Sequence, residues 1–238
     1  FSEQPLIEAN IRDALGETYE YLGDYPAAVQ QLQRAFELLR THLGSNHVDT
    51  LTVMNNLALA YEGTGDLAES VRLQEQAAEA CESSLGAADT HTLTAMHGLA
   101  WAYLNTGQAA KALPIGKRTL KLRTERLGES HSHTVSSLVV LAATYSALGR
   151  VEEAIPILEK ALALSRSLFG SNDPGTLSSM GNLANAYQRA DRVQDALPLR
   201  EEGLRLRKVV FGPEAPQTLI SMGNLAITYR DAGRLEEA

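Results

Sequence analysis

The sequence predicts an all-α protein, a solenoid built from antiparallel helix pairs that stack one on the next. A period of 42 residues runs through the chain without an insertion. Each copy carries a tyrosine with a leucine four positions before it. The six tyrosines are Tyr19, Tyr61, Tyr103, Tyr145, Tyr187 and Tyr229. A fixed period of this length is typical of repeat proteins, whose repeats bury their apolar faces against their neighbours.

The first helix of each repeat, helix A, is exemplified by residues 174–190. Its apolar residues recur every three or four positions, which is the spacing of an amphipathic helix. They are Leu177, Met180, Leu183, Ala184 and Tyr187. Asp173 suits the N-cap, and Pro174 suits the first helical position. A glycine four positions after the tyrosine should end helix A in a left-handed conformation, and Asp191 takes its place once.

The second helix, helix B, is exemplified by Val151–Phe169 and ends at a glycine. Its buried side should consist of Ala154, Ile155, Leu158, Ala161, Leu162 and Leu164. The period then predicts one repeat domain over residues 1–238, which we expect to be a fragment of a longer protein. Its repeats should span approximately residues 4–47, 48–89, 90–131, 132–173, 174–215 and 216–238, the last one incomplete.

Composition and charge narrow the class of protein and its partners. Hydrophobic residues make up 44% of the chain, charged residues 21%, and the net charge is −8, so we expect a soluble folded protein. A single cysteine, Cys81, suits a cytoplasmic, intracellular location. The chain contains no apolar run of membrane-spanning length, so no membrane association is predicted. One basic cluster on helix B should be a solvated face and not a nucleic-acid surface; it consists of Lys117, Arg118, Lys121, Arg123 and Arg126.

Histidines and carboxylates in this sequence are explained by helix ends. His47 and His131 occupy the N-cap position that Asp89 and Asp173 fill in other repeats. The chain has no phosphate-binding loop, nucleophile elbow or paired zinc motif. We therefore predict no catalytic residue, no metal site and no cofactor, and we do not expect an enzyme.

Three motifs recur at the 42-residue period: L-A-x-x-Y, then G-x-x-x-E-A, then L-G-x-x-H/D-x-x-T. Together they resemble the tetratricopeptide repeat of the kinesin light chain type, and the resemblance covers essentially the whole chain. It implies a right-handed superhelical solenoid with a concave groove lined by helix A. Related repeats occur in cargo adaptors and in sensor arms of signalling ATPases, so the resemblance is informative about fold more than about function.

The face of helix A opposite the apolar stripe is the candidate binding surface. Its positions lie at −9, −6, −5, −2, +1 and +2 relative to the tyrosine. From the first repeat to the last, these positions are acidic, then apolar, then rich in amides and basic residues. The predicted peptide-binding residues are Asn56, Leu59, His97, Trp101, Val139, Asn182, Asn185, Arg189, Asn224 and Arg230.

Three asparagines share position −5, namely Asn56, Asn182 and Asn224. The resemblance implies that asparagines here contact the backbone of an extended peptide. Ala14, Gly98 and Val140 interrupt this series and belong to the same position in the other repeats. A carboxylate clamp of the chaperone-binding type is disfavoured, because the −9 positions beside the last two asparagines are Ser178 and Ile220, which carry no charge.

Charge is distributed unevenly along the chain. Residues 1–100 carry 4 basic and 15 acidic side chains, whereas residues 101–238 carry 17 and 14. A ligand with an acidic end toward the last repeats and an apolar side chain toward Trp101 would be steered correctly. The leading hypothesis is therefore a non-catalytic adaptor or scaffold that binds a peptide or a partner helix in its groove.

The alternative hypothesis is a spacer or sensor arm of a larger signalling protein that associates with itself through its ends. The chain stops just inside a further helix B, so the last helix A would leave its core stripe uncovered. That stripe consists of Met222, Leu225, Ala226 and Tyr229. Its exposure would favour pairing with a second copy.

Overall fold

The computed structural model describes residues 4–237, which contain eleven α-helices and no β-strand. The helices are α1 (Pro5–Leu22), α2 (Tyr25–Leu43), α3 (Val48–Thr64), α4 (Leu67–Leu85), α5 (Thr90–Asn105), α6 (Ala109–Leu127), α7 (Ser132–Ala147), α8 (Val151–Phe169), α9 (Pro174–Arg189), α10 (Val193–Phe211) and α11 (Pro216–Asp231). Odd-numbered helices are the predicted helix A, and even-numbered helices are helix B. The predicted all-α fold of tandem helix pairs is confirmed.

The helices form two compact units, unit 1 (Phe1–Arg126) and unit 2 (Leu127–Ala238). In unit 1, each helix from α1 to α5 packs against the next, and helix A also contacts the following helix A. In unit 2, each helix from α7 to α11 packs against the next. Helix pairs therefore bury their apolar sides mainly against their immediate neighbours, as stacking requires.

The apolar stripe of helix A lies in the core where it was predicted. In α9, Met180 and Ala184 are completely buried, and Leu177 and Leu183 are nearly so. Ala184 contributes only a methyl group, which allows the helices packed against α9 to approach closely. Helix B contributes the facing side chains, for example Ile155 of α8.

Recurrent tyrosines link neighbouring repeats within each unit. Tyr187 donates a hydrogen bond to Glu159 Oε1 at 2.6 Å, and Tyr229 donates one to Glu201 Oε1 at 2.9 Å. Tyr103 makes the same bond to a glutamate 28 residues earlier. In unit 2, an arginine also stacks over the tyrosine ring, as Arg192 does at 4.5 Å from the centroid of Tyr187. The period of the tyrosines thus follows from a contact between repeats.

Helix ends are satisfied as the sequence predicted. Nδ1 of His47 accepts a hydrogen bond from the backbone N–H two residues later at 3.3 Å, and His131 does the same at 3.2 Å. Asp89 and Asp173 fill this position with a carboxylate. These histidines therefore act as N-caps, which stabilise the first turn of helix A.

The turn between helix A and helix B needs a left-handed residue. Gly149 provides it with φ +75°, and Asp191 adopts φ +59° at the equivalent place. A side chain is strained in this region, although aspartate tolerates it better than most residues. The prediction that Asp191 replaces a left-handed glycine is confirmed.

The predicted burial of apolar residues is wrong at two places, one on the first helix and one on the last. Leu15, at the core position of the first repeat, is 42% exposed because no described helix covers that side of α1. The stripe of α11 was expected to be uncovered, yet Leu225 is only 8% exposed because it packs on α10. Met222, Ala226 and Tyr229 are half-buried. The exposed apolar residues of α11 are Leu219, Ile220 and Ile227.

Arg123 was expected on a solvated face, and this is wrong. Its side chain is buried at 3% exposure and donates to the carbonyl oxygen of Leu93 at 3.0 Å. Burial lowers the pKa of Arg123 to about 10. Its neighbour Arg118 is exposed, as predicted, and forms a bidentate ion pair with Glu82.

Leu183→Ala should lower the free energy of unfolding by about 2–5 kcal/mol, because a buried side chain would leave a cavity. Asn182→Ala, one residue earlier on the exposed face, should change it by less than about 0.5 kcal/mol. Urea unfolding followed by circular dichroism measures both. A similar loss for the two variants would show that the faces of α9 are assigned wrongly.

Asp191→Gly should stabilise the protein by about 0.5–1 kcal/mol, because glycine adopts the left-handed conformation without strain. The reciprocal control is Gly149→Asp, which should destabilise by a similar amount. A Cβ at Gly149 would meet no atom within 4 Å, so backbone strain is the only penalty there. Thermal unfolding of the two variants should give shifts of opposite sign, and shifts of the same sign would contradict this account.

Candidate functional site

The face of α9 opposite its core stripe is exposed, as predicted. Ser178, Asn182, Asn185 and Arg189 all point away from the buried side. They recur at helical spacing, because the apolar stripe that anchors α9 in the core occupies the intervening positions. The core packing of α9 therefore fixes which polar residues are presented.

A groove of about 470 Å³ lies on this face within unit 2 and is lined by α9, α10 and α11. It contains three of the predicted site residues, Asn182, Asn185 and Asn224. The other lining residues are Pro174, Leu177, Ser178, Gly181, Arg200, Arg207, Phe211, Gln217, Ile220 and Ser221. Arg189 and Arg230 of the predicted site are not part of its lining.

The asparagines of the groove differ in whether their side chains form hydrogen bonds. In the part of the chain that the structure describes, the side-chain amides of Asn182 and Asn224 have no hydrogen-bond partner. Asn185 is engaged, because its Oδ1 accepts a hydrogen bond from Arg200 Nη2. A free amide can both donate and accept, which matches the alternating groups of an extended backbone.

The basic residues predicted for the site have partners outside the groove. Arg189 Nη2 donates to the carbonyl oxygen of Ser146 at 2.8 Å. Arg230 pairs with Asp231, with 3.0 Å between Nη2 and Oδ1. The cations that do line the groove are Arg200 and Arg207, both on helix B.

Sequence reasoning missed Arg200, although the period contains a signal for it. Thirteen positions after the tyrosine, the other repeats have Leu32, Gln74, Gly116 and Leu158, all of them uncharged and buried. An arginine at a position that is uncharged and buried in the other repeats could have been predicted from the sequence as a candidate binding residue. It was missed because the predicted binding surface included only residues of helix A.

Arg200 is held beneath the groove by neutral groups. Its side chain is only 6% exposed, and its buried Nε has no partner. Arg200 Nη2 lies 3.5 Å from Gln188 Oε1 and also donates to Asn185. Burial, and after it the charge of Arg207, lowers the pKa of Arg200.

Arg207 repeats the arrangement of Arg123 one unit later. Its Nη2 donates to the carbonyl oxygen of Leu177 at 2.6 Å, and its Nη1 donates to Ser221 Oγ at 3.3 Å. Burial lowers the pKa of Arg207 as well. Both partners are neutral, so the charge of Arg207 is not compensated by a carboxylate in an ion pair.

The predicted site residues of unit 1 form a surface of a different character. Leu59 and Trp101 are 40% and 36% exposed, and His97 is half-buried. The indole N–H of Trp101 donates to Glu62 Oε1 at 3.1 Å, which holds the ring in place. Asn56 is engaged, because its amide lies 3.2 Å from Asp13 Oδ1 and donates to it.

The predicted apolar zone is corrected in unit 2. Val139 is half-buried, but Val140, expected in the groove, is only 5% exposed. An apolar side chain at the edge of the stripe is stabilised by burial, whereas the amide of Asn182 at the same position would have to lose its hydration. At this position Val140 is therefore buried, whereas Asn182 faces solvent.

Comparison with known sequences agrees with the repeat structure. A sequence profile described as "Tetratricopeptide repeat" matches residues 7–83, 49–125, 133–208 and 179–238. The chain belongs to the tetratricopeptide repeat family. No curated protein matches the whole sequence significantly.

Solved tetratricopeptide structures share the fold. Kinesin light chain-like, nearly identical TPR-like repeats of Podosopora anserina match with 28% identity and a TM-score of 0.71, covering 85% of this chain and 96% of theirs. BtubC (BKLC) from P. vanneervenii matches with 19% identity and a TM-score of 0.70, covering 90% and 84%. A Rap protein complexed with Competence and Sporulation Factor matches with 12% identity and a TM-score of 0.67, covering 98% and 72%. The kinesin light chain resemblance is thereby confirmed.

Among residues 4–237, no three or more histidine, cysteine, aspartate or glutamate side chains are grouped so that they could hold a metal ion. None of the described helices is both long and apolar enough to span a membrane. Cys81 is buried, and this burial raises the pKa of its thiol to about 11.

Carboxylates crowd one face of α1, the first tetratricopeptide helix. Asp13, Glu17 and Glu20 lie there together, and the buried Oε1 of Glu20 has no hydrogen-bond partner. Burial first, and then the charges of Glu17 and Asp13, raises the pKa of Glu20 to about 7. Burial also raises the pKa of Asp13, against the hydrogen bond from Asn56.

Glu20→Gln should therefore stabilise the protein more at pH 8 than at pH 5. Because the folded state raises the pKa from 4.5 to about 7, ionisation of Glu20 destabilises the fold. This effect is absent below pH 4.5, grows up to about pH 7 and is complete above it. Thermal unfolding at the two pH values measures it.

The control for this experiment is Glu79→Gln, at an exposed position of α4. It removes the same charge from unit 1 and should give nearly equal shifts at both pH values. Equal shifts for Glu20→Gln as well would show that Glu20 is not destabilised by its surroundings.

Proposed function

We propose that this protein is an interaction module whose unit 2 groove binds a short, extended segment of a protein partner. The observation that carries the proposal is the pair Asn182 and Asn224. They occupy the same position of successive A helices and line one groove, and neither side-chain amide has a partner among the described residues. Two such amides can bind peptide groups at two separate points along one strand.

The shape and polarity of the groove support an extended ligand. Ile220 is 65% exposed beside the asparagines and offers an apolar contact. A Cβ added at Gly223 would meet no atom within 4 Å, so a ligand backbone has space to approach α11. The groove is open and only partly apolar, which suits a peptide whose backbone provides much of the contact.

The family supports the same class of function. Tetratricopeptide repeats serve as protein interaction scaffolds, and the Rap protein of the same fold was solved in complex with Competence and Sporulation Factor. For a short flexible segment we expect an affinity on the order of micromolar, because ordering the ligand offsets much of the contact energy. The buried thiol of Cys81 suits an adaptor that works in the cytoplasm.

The remaining predicted residues are proposed as binding contacts within their own unit. In unit 1, Leu59 and Trp101 offer an apolar surface, with Asn56 and His97 on the same predicted face. In unit 2, Val139 adds a half-buried apolar side chain. Arg189 and Arg230 would have to exchange their present partners to contact a ligand, so we assign them a smaller part.

Peptide display on the 238-residue protein tests this function. Selection should enrich a short motif, and the Asn182→Ala/Asn224→Ala double variant should weaken its binding about tenfold or more. Asn172→Ala, in an exposed turn outside the groove, is the matched control and should leave binding unchanged. A Trp101→Ala bait reports whether the apolar surface of unit 1 takes part. No enrichment, or a motif indifferent to the double variant, would reject the groove as a peptide site.

A spacer or sensor arm that associates with itself is the second candidate function. Leu219 of α11 is 53% exposed, although Leu51, Leu93 and Leu177 are buried at the same position of earlier repeats. A second copy packed on α11 would bury it. Sedimentation velocity over a wide concentration range should then show a dimer that Leu219→Glu abolishes. A concentration-independent monomer would reject self-association.

A further inference from the structure

Arg200 breaks the pattern of the repeat core. The position thirteen residues after the tyrosine is filled by leucine, glutamine or glycine elsewhere, and those residues pack without charge. In unit 2, the same position places a guanidinium group directly beneath the groove. An arginine at this position carries the cost of burying a cation, which the binding of an anionic group would offset.

No carboxylate within the described chain compensates this cation. Neither Arg200 nor Arg207 forms an ion pair among residues 4–237, and all their hydrogen-bond partners are neutral. Asp231 is linked to Arg200 only through Gln188, which donates to it at 2.7 Å. The floor of the groove therefore carries two neighbouring positive charges without a counterion.

The hydrogen-bonding capacity of Arg200 is also incompletely used. Only its Nη2 has partners, whereas the buried Nε has none. An unpaired buried donor is costly, and a charged one more so. The adjoining groove of about 470 Å³ gives an anionic group access to this side chain.

We propose that Arg200, with the positive charge of Arg207 beside it, binds a carboxylate of the partner segment held by Asn182 and Asn224. This inference rests on the proposed peptide function of the same groove. A guanidinium matches the geometry of a carboxylate and can bind it through two hydrogen bonds. The carboxylate can come from an aspartate or glutamate side chain or from the C-terminus of the partner.

This carboxylate site differs from a carboxylate clamp on helix A in the helix that supplies its cations. The −9 positions, Ser178 and Ile220, remain uncharged, and the cations come from α10 below the asparagines. The amides of Asn182 and Asn224 would bind the ligand backbone, and Arg200 at the floor of the groove would bind the ligand's carboxylate. On α6 of unit 1 the pair of arginines is not repeated, because Gly116 occupies the position equivalent to Arg200.

Matched synthetic peptides provide the test. Motifs enriched by display on the 238-residue protein are synthesised with glutamate or glutamine, and each with a free or an amidated C-terminus. Fluorescence anisotropy should show that one of the two carboxylates strengthens binding at least tenfold. Comparison of the four forms identifies whether the side chain or the C-terminus supplies it.

Arg200→Gln should remove this preference, leaving the neutral peptides bound within about twofold of their original affinity. Glutamine is a suitable replacement because Gln74 occupies the same position in unit 1. Arg123→Gln, at a buried arginine of unit 1, is the control and should preserve the preference. If no peptide binds in any form, the proposed function itself fails. If peptides bind but charge makes no difference, or Arg200→Gln weakens all forms equally, only the carboxylate site is overturned.

A stability measurement separates a ligand site from a structural role. Arg200→Leu should raise the urea midpoint of unfolding, because Leu32 and Leu158 fill this position in other repeats. It should also lose the preference for carboxylate peptides. Circular dichroism confirms that the variants remain helical. A lower midpoint for both Arg200→Leu and Arg200→Gln would mean that Arg200 stabilises the fold, and this would overturn the proposal.

Discussion

The structure depends on one constraint: a two-helix repeat cannot bury both of its apolar sides by itself. Each pair must cover the next, so the core positions of every repeat have to fit nearly identical neighbours. Leu177, Met180 and Leu183 meet this demand in α9 and are almost fully removed from solvent. The opposite face has no such demand, and its residues are free to specify a ligand.

The constraint also explains where burial of polar groups is tolerated. Arg123 is buried and Arg207 is half-buried, and each reaches a backbone carbonyl of a neighbouring helix A. Arg200 differs because amide side chains are its partners and its Nε is left unsatisfied. The same interior thus contains a structural arginine and an arginine whose charge faces a groove.

The period and the helical spacing were sufficient to predict the repeat fold, its caps and the exposed face of α9. They could not predict Arg200, because the binding surface was assigned to helix A and a helix B side chain can reach the groove only through the packing of three helices. Val140 was misassigned for a related reason. Position along a helix does not show on its own whether a side chain at the edge of the stripe turns toward the core.

The sequence predicted the positions of the charged groove residues less accurately than those of the asparagines. Long side chains find local partners that a sequence does not reveal, as Arg189 does at the carbonyl of Ser146. Short amides such as Asn182 reach less far, and their placement follows the backbone of α9. Recognition residues with short side chains are therefore easier to infer from a repeat pattern than those with long ones.

The tyrosine–glutamate bond has a consequence for how such a chain can change in length. Tyr187 and Glu159 lie 28 residues apart in adjacent repeats, and the repeat of Tyr187 also supplies Glu201, which accepts the bond from Tyr229. Loss of 42 residues between Glu159 and Tyr229 would place these two residues 28 positions apart, so a bond of the same kind would form again. A change of any other length between a glutamate and its tyrosine would alter their 28-residue spacing, and the hydrogen bond between them would be lost. In this part of the array a whole repeat can be removed while the tyrosine–glutamate spacing is kept, whereas Gln33 takes the place of the glutamate in the bond to Tyr61.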